Sequence, residues 1–243
     1  MTGKGKAVVT GASSGIGRAI AEKLAMAGYE VFGIGRHFRE RDCGKNDFNR
    51  LELDLLDTEK TTETIKKINE HEDVTVLVNC AGIGCYGLHG TLSPSDIQRL
   101  VRTNLEVPMI LSGLLLKTLK QNSGYIINIS SHTATQANPH GCAYGATKAG
   151  LSSFSRSLFE EERKYGLKVV NIEPDMTDTA LYRDSDFGVD DAPDAYLLPE
   201  ETADAVMFAL EGRNGRVITN ISLRPRINRI KRKKTSNNFD DIN

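Results

Sequence analysis

Apolar and polar positions along the chain follow two alternating patterns. Short apolar runs typical of strands are separated by longer segments in which apolar residues recur every three or four positions, as in helices. The run VTVLVN at 74–79 is apolar almost throughout, as expected for a parallel strand covered on both faces. The other strand-like runs are KAVVT at 6–10, EVFGI at 30–34, LEL at 51–53, GYIINIS at 124–130, LKVVNI at 167–172 and RVITNIS at 216–222.

Helical segments lie between these runs. The longest, at 93–120, has Ser93 or Ser95 as its expected N-terminal cap and Pro108 as an expected bend. Helices that connect successive strands imply a parallel sheet covered on both sides. We therefore predict an α/β fold, a Rossmann-type doubly wound sheet of about seven parallel strands with helices on both faces, in a single domain at 1–223.

The end of the chain has a different composition. Residues 224–234 read RPRINRIKRKK, and the stretch that follows them has little apolar surface to bury. We predict that residues 224–243 form a flexible basic tail. Because no aromatic residues interleave these charges, a solvated extension is favoured, and neither a nucleic acid nor a membrane partner is firmly implied.

Composition limits the possible environments and partners. The net charge of −1 over 243 residues gives no overall attraction to nucleic acid or membrane. The four cysteines, at 43, 80, 85 and 142, form no CxxC pair, so we expect no metal site, no disulfide framework and a reducing compartment. No signal-peptide pattern opens the chain, and the apolar stretch at 107–116 is shorter than the roughly 20 residues a membrane span needs. We expect a cytoplasmic protein.

A glycine turn, TGASSGIG at 10–17, joins the first strand to the first helix. Its glycines allow a sharp turn and a close approach of phosphate to the helix N-terminus, where free amides favour anions. The same residues also spell GxSxG around Ser13, the pattern of a hydrolase nucleophile elbow. That elbow follows several strands, whereas only one strand precedes Ser13, so the sequence favours nucleotide binding.

The end of the second strand indicates which nucleotide is bound. An acidic residue at this position holds the ribose 2′-hydroxyl in many dinucleotide-binding folds. This chain has Gly35 and Arg36 there, with Arg39 and Arg41 nearby. Because a guanidinium suits a 2′-phosphate, we expect a preference for NADP(H), with NAD(H) still possible.

Four ordered motifs resemble those of the short-chain dehydrogenase/reductase family. They are the glycine turn, NCAG at 79–82, Asn104 in VRTNLEVP, and YGATK at 144–148, and they extend over the chain up to about Pro225. The resemblance implies an oxidoreductase that transfers hydride between a nicotinamide cofactor and a small carbonyl or alcohol substrate. It also implies a homodimer or homotetramer.

The resemblance assigns site residues by position. Tyr144 and Lys148 become the YxxxK pair, Asn104 the asparagine of the proton relay, and the serine thirteen residues before Tyr144 is Ser131 rather than Ser130. The implied cofactor residues are Gly11, Ser13, Ser14, Gly15, Ile16, Gly17, Arg36, Asp54, Leu55, Asn79, Ala81, Gly82, Tyr144, Lys148, Pro174 and Thr179.

The residue types themselves support this chemistry. A spacing of four positions puts Tyr144 and Lys148 on one helical face. A nearby ammonium is expected to lower the tyrosine pKa from its usual value near 10. Tyr144 can then protonate a carbonyl oxygen while Ser131 hydrogen-bonds to the same atom, and it acts as the base in the reverse direction.

One position departs from the family pattern. The family usually has Pro-Gly after the sixth strand, whereas this chain reads EPDMTDT, with Asp175 in place of the glycine. Asp175 adds a carboxylate near the expected nicotinamide site, and this leaves the local cofactor geometry open.

The substrate side is less defined. Cys85, Tyr86, the stretch 133–140 and the loop 180–196, here called the substrate loop, are candidate walls. The substrate loop is rich in aspartate and is expected to be a solvated lid. A protein that binds NADP(H) without catalysis, as a sensor or through its basic tail, remains the alternative function.

Overall fold

The computed structural model describes residues 4–38, 48–212 and 215–233. Seven parallel strands form one sheet in the order β3-β2-β1-β4-β5-β6-β8, and two short strands, β7 and β9, pair separately. The predicted doubly wound fold is confirmed. The strands are β1 Lys6–Thr10, β2 Glu30–Gly35, β3 Asn49–Glu52, β4 Val74–Asn79, β5 Tyr125–Ile129, β6 Lys168–Pro174, β7 Phe187–Val189, β8 Asn220–Leu223 and β9 Ile230–Arg232.

Helices cover both faces of the sheet. Successive strand residues therefore enter different cores: Val76 and Val78 pack on one face and Leu77 on the other, and all three are buried. Helices α1 and α6 pack on the first face, and α2, α4 and α5 on the second. This double burial is the reason that the strands are apolar at consecutive positions. The helices are α1 Gly15–Met26, α2 Thr58–Ile68, α3 Pro94–Val101, α4 Val107–Gln121, α5 Cys142–Glu162 and α6 Pro199–Leu210.

The segment expected to be one long helix is interrupted by a π-helical turn. Ser93 caps α3 by accepting a hydrogen bond from the Asp96 amide, and the π turn at Arg102–Glu106 separates α3 from α4. Pro108 has no amide hydrogen, so the Asn104 carbonyl lacks the partner it would have in an α-helix. The Val107 amide donates to the Arg102 carbonyl, five residues back. The turn that holds Asn104 therefore contains one residue more than an α-helical turn.

Four asparagines form a row from the central strand β4 to the edge strand β8. Asn79, Asn128, Asn171 and Asn220 are register partners on β4, β5, β6 and β8. Asn79 Nδ2 donates to Asn128 Oδ1 at 2.8 Å, and Asn171 Nδ2 donates to Asn220 Oδ1 at 2.8 Å. Asn128 Nδ2 in turn donates to Ser155 of α5 at 2.8 Å. These buried bonds fix α5 against the strand ends from which the site is built.

The two short strands were not expected from the sequence. Strand β9 begins inside the basic tail and pairs antiparallel with β7 of the substrate loop. Three residues are too few to show a periodic pattern. The separation of the tail at residue 223 and its flexibility stay predictions, and residues 234–243 lie outside the described ranges. Among the helices of those ranges, none is long and apolar enough to cross a membrane.

Removing the amide of Asn128 tests the asparagine row. Asn128→Ala should lower the free energy of unfolding by about 1 to 3 kcal/mol, because Asn79 and Ser155 each lose a buried hydrogen-bond partner. Urea unfolding measures the change. Asn49→Ala is the control, since Asn49 is exposed on β3. Equal effects of the two substitutions would contradict a stabilising role for the row.

Candidate active site

The predicted site residues gather at the carboxyl edge of the sheet. Strands β1 and β4 are neighbours at its centre, and the chain proceeds from them toward opposite edges. Loops that leave such a point diverge and open a crevice, where ligands of open α/β sheets bind. The loops after β1, β4, β5 and β6 line this crevice and carry most of the predicted residues.

The glycine turn after β1 is packed too closely for side chains. A Cβ on Gly11 would lie 2.9 Å from Ala81 Cα, and one on Gly17 would lie 2.4 Å from the Gly11 carbonyl oxygen. Gly11 and Gly15 also have positive φ values of 71° and 53°, which favour glycine. Ser14 precedes the first residue of α1 without a side-chain capping bond, so its side chain leaves the amides of the first turn available.

Thr10 connects this turn to the end of β4. Its Oγ1 accepts hydrogen bonds from the amides of Cys80 and Ala81, each at 3.0 Å, and donates to the Val78 carbonyl at 3.3 Å. Thr10 was not among the predicted site residues. A polar residue ending an otherwise apolar central strand was the available signal.

Asn104 holds the next part of the same loop. The residue is fully buried in the π turn, and its Oδ1 accepts from the Ile83 amide at 2.9 Å. Its Nδ2 donates to the Ile83 carbonyl at 3.0 Å and to Thr147 Oγ1 at 3.2 Å. A Cβ on Gly82 would lie 3.5 Å from Asn104 Oδ1 and 3.6 Å from Lys148 Nζ. The loop after β4 and helix α5 therefore meet at Asn104.

Tyr144 and Lys148 lie on the buried face of α5. Lys148 Nζ donates to the Ile129 carbonyl at 2.9 Å and lies 5.8 Å from the centre of the Tyr144 ring. Desolvation raises the pKa of Tyr144 to about 12, although a hydrogen bond with Ser131 acts in the opposite direction. Desolvation also lowers the pKa of Lys148 to about 8, which the Cys80 thiol nearby partly offsets. The expectation that the ammonium lowers the pKa of Tyr144 is therefore wrong, because burial raises this pKa.

The two serines after β5 have different environments. Ser130 Oγ donates to the Lys148 carbonyl at 2.9 Å and contacts Ser152 Oγ at 2.8 Å, so it holds α5 to the sheet. Ser131 lies with Tyr144 and accepts from the Thr133 hydroxyl at 2.9 Å and the Thr133 amide at 3.2 Å. The geometry therefore brings Ser131, and not Ser130, to the tyrosine.

The adenosine side of the crevice is more open. Arg36 is exposed at the end of β2, and the Ser13 side chain lies against Gly35, where a Cβ would be 2.8 Å from Ser13 Cβ. After β3, Asp54 is exposed and accepts from the Leu56 amide at 3.0 Å, while Leu55 is buried in the core. The Asn79 side chain lies within the asparagine row rather than in the crevice, although its Oδ1 is buried without a partner in the described part of the chain. Arg39, Arg41 and Cys43 fall outside that part.

The loop after β6 returns to the glycine turn. Pro174 is buried at the strand end, and Thr179 lies over the turn, since a Cβ on Gly15 would be 3.1 Å from Thr179 Cγ2. Asp175 does not have a positive φ, so it fits the backbone without strain where the family has glycine. Its carboxylate accepts a hydrogen bond from the Met176 amide at 2.9 Å and forms an ion pair with Arg224 at 3.4 Å.

Three further aromatic rings lie on the outer side of Tyr144. Tyr86 lies 5.5 Å from Tyr144, 5.9 Å from Tyr182 and 4.9 Å from Phe187, measured between ring centres. Tyr182 and Phe187 belong to the substrate loop and lie 5.5 Å apart. We call these four residues the aromatic cluster. A cleft of about 270 Å³ opens between the substrate loop and Lys233, beside this cluster.

Comparison with known proteins agrees with this arrangement. The family model for short chain dehydrogenases matches residues 5–187. An uncharacterized oxidoreductase of Staphylococcus saprophyticus is 32% identical over 232 residues, which cover 90% of this chain and 96% of the relative. A serine 3-dehydrogenase of Rhizobium radiobacter is 32% identical over 181 residues, which cover 72% of this chain and 73% of that protein.

A solved structure extends the likeness to three dimensions. The alcohol dehydrogenase of the archaeon Thermococcus sibiricus, complexed with 5-hydroxy-NADP, has a TM-score of 0.80 and 26% identity to this chain. The match covers 91% of this chain and 97% of the archaeal chain. The fold, the sequence matches and the clustered motifs lead to one conclusion: this protein belongs to the short chain dehydrogenase family and is an oxidoreductase.

Proposed function

We propose that the protein is a carbonyl reductase or alcohol dehydrogenase that prefers NADP(H) and acts on a small molecule. The observation that carries this proposal is the meeting of Ser131, Tyr144, Lys148 and Asn104 at one end of the crevice, opposite the glycine turn. A nicotinamide in this crevice would supply or accept hydride at the carbonyl carbon.

The crevice has the features that a dinucleotide needs. The glycine turn leads into the N-terminus of α1, whose first amides have no side-chain cap, and free amides with the helix dipole would favour a pyrophosphate in the space beside them. Thr179 borders this space from the opposite side. Lys148 and Gly82 are close enough to contact one ribose together. These residues, with Ser13 and Ile16 in the turn, would hold the cofactor.

The chain's own residues handle the proton. Because the pKa of Tyr144 is about 12, its hydroxyl keeps a proton at neutral pH and can donate it to the oxygen that gains charge. The Ser131 hydroxyl, which already accepts two bonds from Thr133, donates its own proton to the same oxygen. Lys148, held by the Ile129 carbonyl, stabilises the tyrosinate that remains. In oxidation, Tyr144 takes the proton back.

The preference for NADP(H) rests on the end of β2. Arg36 is exposed there, next to Gly35, against which the Ser13 side chain lies, and the Glu52 carboxylate accepts a hydrogen bond from the Phe38 amide at 2.9 Å. Arg50 adds a second cation, with its guanidinium 5.9 Å from the centre of the Phe38 ring. The two guanidinium groups favour a 2′-phosphate over a hydroxyl. The archaeal relative that was solved with 5-hydroxy-NADP supports the same choice.

A sensor without catalysis is the alternative function, and two observations weigh against it. Such a protein has no need to keep Ser131 beside Tyr144 or to bury the Lys148 ammonium. In addition, Arg226 and Lys231 of the basic tail pair with aspartates of the same chain, which makes them less available to an external partner.

Assembly and location follow as further parts of the proposal. Helices α4 and α5 carry partly exposed apolar residues that a second copy could cover, Met109 among them. We propose a homodimer or homotetramer formed through these helices, in the cytoplasm.

The first test removes the hydroxyl of Tyr144. Tyr144→Phe should lower kcat/KM for carbonyl reduction by at least about 100-fold, because it removes the proton donor, and lower NADPH affinity far less. NADPH oxidation over a panel of ketones and aldehydes measures this. Tyr165→Phe is the control, since Tyr165 is exposed beyond the end of α5. An active Tyr144→Phe enzyme would refute the mechanism, and a wild type without activity on the panel would favour the sensor.

A second test addresses cofactor preference. Arg36→Asp should weaken NADPH binding by about tenfold or more relative to NADH, because a carboxylate repels the 2′-phosphate. Dissociation constants from nicotinamide fluorescence measure both cofactors. Arg163→Asp makes the same charge change at the far end of α5 and should alter neither. Equal losses for NADPH and NADH would remove Arg36 from the 2′-phosphate site.

A third test uses the lowered pKa of Lys148. The ammonium is charged below about pH 8 and loses its proton above it, so NADPH affinity should fall as pH rises through 8, by up to about tenfold per unit. Cys80 and Tyr144 titrate near pH 12 and do not contribute in this window. In the Lys148→Arg variant the side chain stays charged, so NADPH affinity should show no break near pH 8. A break that persists in this variant would assign the titration to another group.

A further inference from the structure

We propose that residues 224–233, here called the C-terminal strap, position the substrate loop over Tyr144 through ion pairs and strand pairing, so that the strap belongs to the wall of the carbonyl-binding site. This inference rests on the proposed function for its meaning in catalysis. Its physical part, the closure of the loop by the strap, can be tested without activity.

Backbone bonds connect the strap and the substrate loop at both ends. Strand β9 pairs with β7 in the register Phe187↔Arg232, Gly188↔Lys231 and Val189↔Ile230. After β7, the Ile227 amide donates to the Asp194 carbonyl at 2.9 Å, and just before β7 the Lys233 amide donates to the Asp186 carbonyl at 2.7 Å. Amides of the strap thus provide the hydrogen-bond donors for these two carbonyls of the substrate loop.

Opposite charges face each other along the two antiparallel segments. Lys231 Nζ contacts both carboxylate oxygens of Asp191 at 2.7 Å, and Arg226 Nε donates to Asp194 Oδ2 at 3.1 Å. Lys233 Nζ donates to the carbonyls of Tyr182 and Arg183 at 2.6 and 2.9 Å. Each exposed pair is weak alone, and the backbone pairing holds them all in register.

Arg224 extends the same pattern to the cofactor side. It pairs at 3.4 Å with Asp175, the residue that stands where the family has glycine. The aspartate-rich loop, the basic tail and the departure at Asp175 were separate observations in the sequence. The strap explains all three as partners in one contact.

The strap reaches Tyr144 through the aromatic cluster. Phe187 is the first residue of β7, so the pairing with β9 sets its position. Its ring lies 4.9 Å from Tyr86, which lies 5.5 Å from Tyr144. Tyr182, whose carbonyl Lys233 holds, lies 5.9 Å from Tyr86. Displacing the strap should therefore move the rings that border the reacting carbonyl, while the glycine turn stays in place.

Charge reversal and restoration test this assignment. Arg226→Glu with Lys231→Glu places like charges against Asp194 and Asp191, and Asp191→Lys with Asp194→Arg does so from the loop side. The variant with all four substitutions, here called the fourfold variant, restores opposite charges in both pairs. Its carboxylates lie on the strap and its cations on the loop. The matched control is Lys60→Glu with Lys67→Glu, which makes the same change in net charge at exposed positions of α2, away from the strap, without an ion pair among the described residues.

The first readout is cleavage by chymotrypsin after Tyr182 or Phe187, followed by mass spectrometry on the NADPH-bound protein. None of the substitutions alters these cleavage sites. Both double variants should be cleaved several times faster than wild type, and the fourfold variant and the control at nearly the wild-type rate. Unchanged cleavage in the double variants, or no recovery in the fourfold variant, would overturn the closure of the loop by the strap.

The second readout separates positioning from folding. Each double variant should raise KM for the carbonyl substrate by about five- to tenfold, as expected from losing two exposed pairs, while the NADPH dissociation constant stays within about twofold. Wild-type KM should rise with NaCl, because salt screens the pairs. A lower kcat at unchanged KM, as loss of folded enzyme would give, would overturn the positioning role. If wild type reduces no carbonyl, the proposed function fails, and the cleavage rates still decide whether the strap closes the loop.

Discussion

The close approach of the backbone at the ends of β1 and β4 is the constraint on which the site depends. Gly11 and Ala81 come so near to each other that a single methyl group on Gly11 would collide with the neighbouring strand end. The Thr10 hydroxyl fixes this approach by accepting hydrogen bonds from the amides of Cys80 and Ala81 at the end of β4. The crevice, the start of α1 and the path of the chain toward Asn104 all follow from this contact.

From that contact, the positions of the proposed catalytic groups follow in a short series of hydrogen bonds. The loop after β4 passes from Ala81 to Ile83. The Asn104 side chain accepts a hydrogen bond from the Ile83 amide and donates one to the Ile83 carbonyl. Asn104 also binds Thr147 of α5, and α5 carries Tyr144 and Lys148. The π turn places Asn104 at this junction, and such turns are common at functional sites. A buried ammonium costs folding stability, so its presence here is consistent with a selected role in chemistry.

Much of this architecture could be predicted from the sequence, because it depends on local patterns. Strands covered on both faces are apolar at consecutive positions, and this pattern predicted the number of strands. Ser131 was assigned from the family resemblance, in which the serine lies thirteen residues before the tyrosine. The π turn was not predicted, since the pattern places Pro108 within a helix but does not indicate how the helix adjusts. The strap was also missed. Its ion pairs join residues more than thirty positions apart, and neither the basic nor the acidic segment indicates by itself which charges it meets.

The central claim is that this site transfers hydride to a carbonyl carbon beside the proton donor Tyr144. The most direct measurement follows the label from NADPH that carries deuterium at one of the two C4 positions, with a ketone that the enzyme reduces. NMR of the product should show deuterium on the carbinol carbon with one of the two labelled cofactors and not with the other. NADPH oxidation without deuterium on that carbon, from either labelled form, would contradict the account.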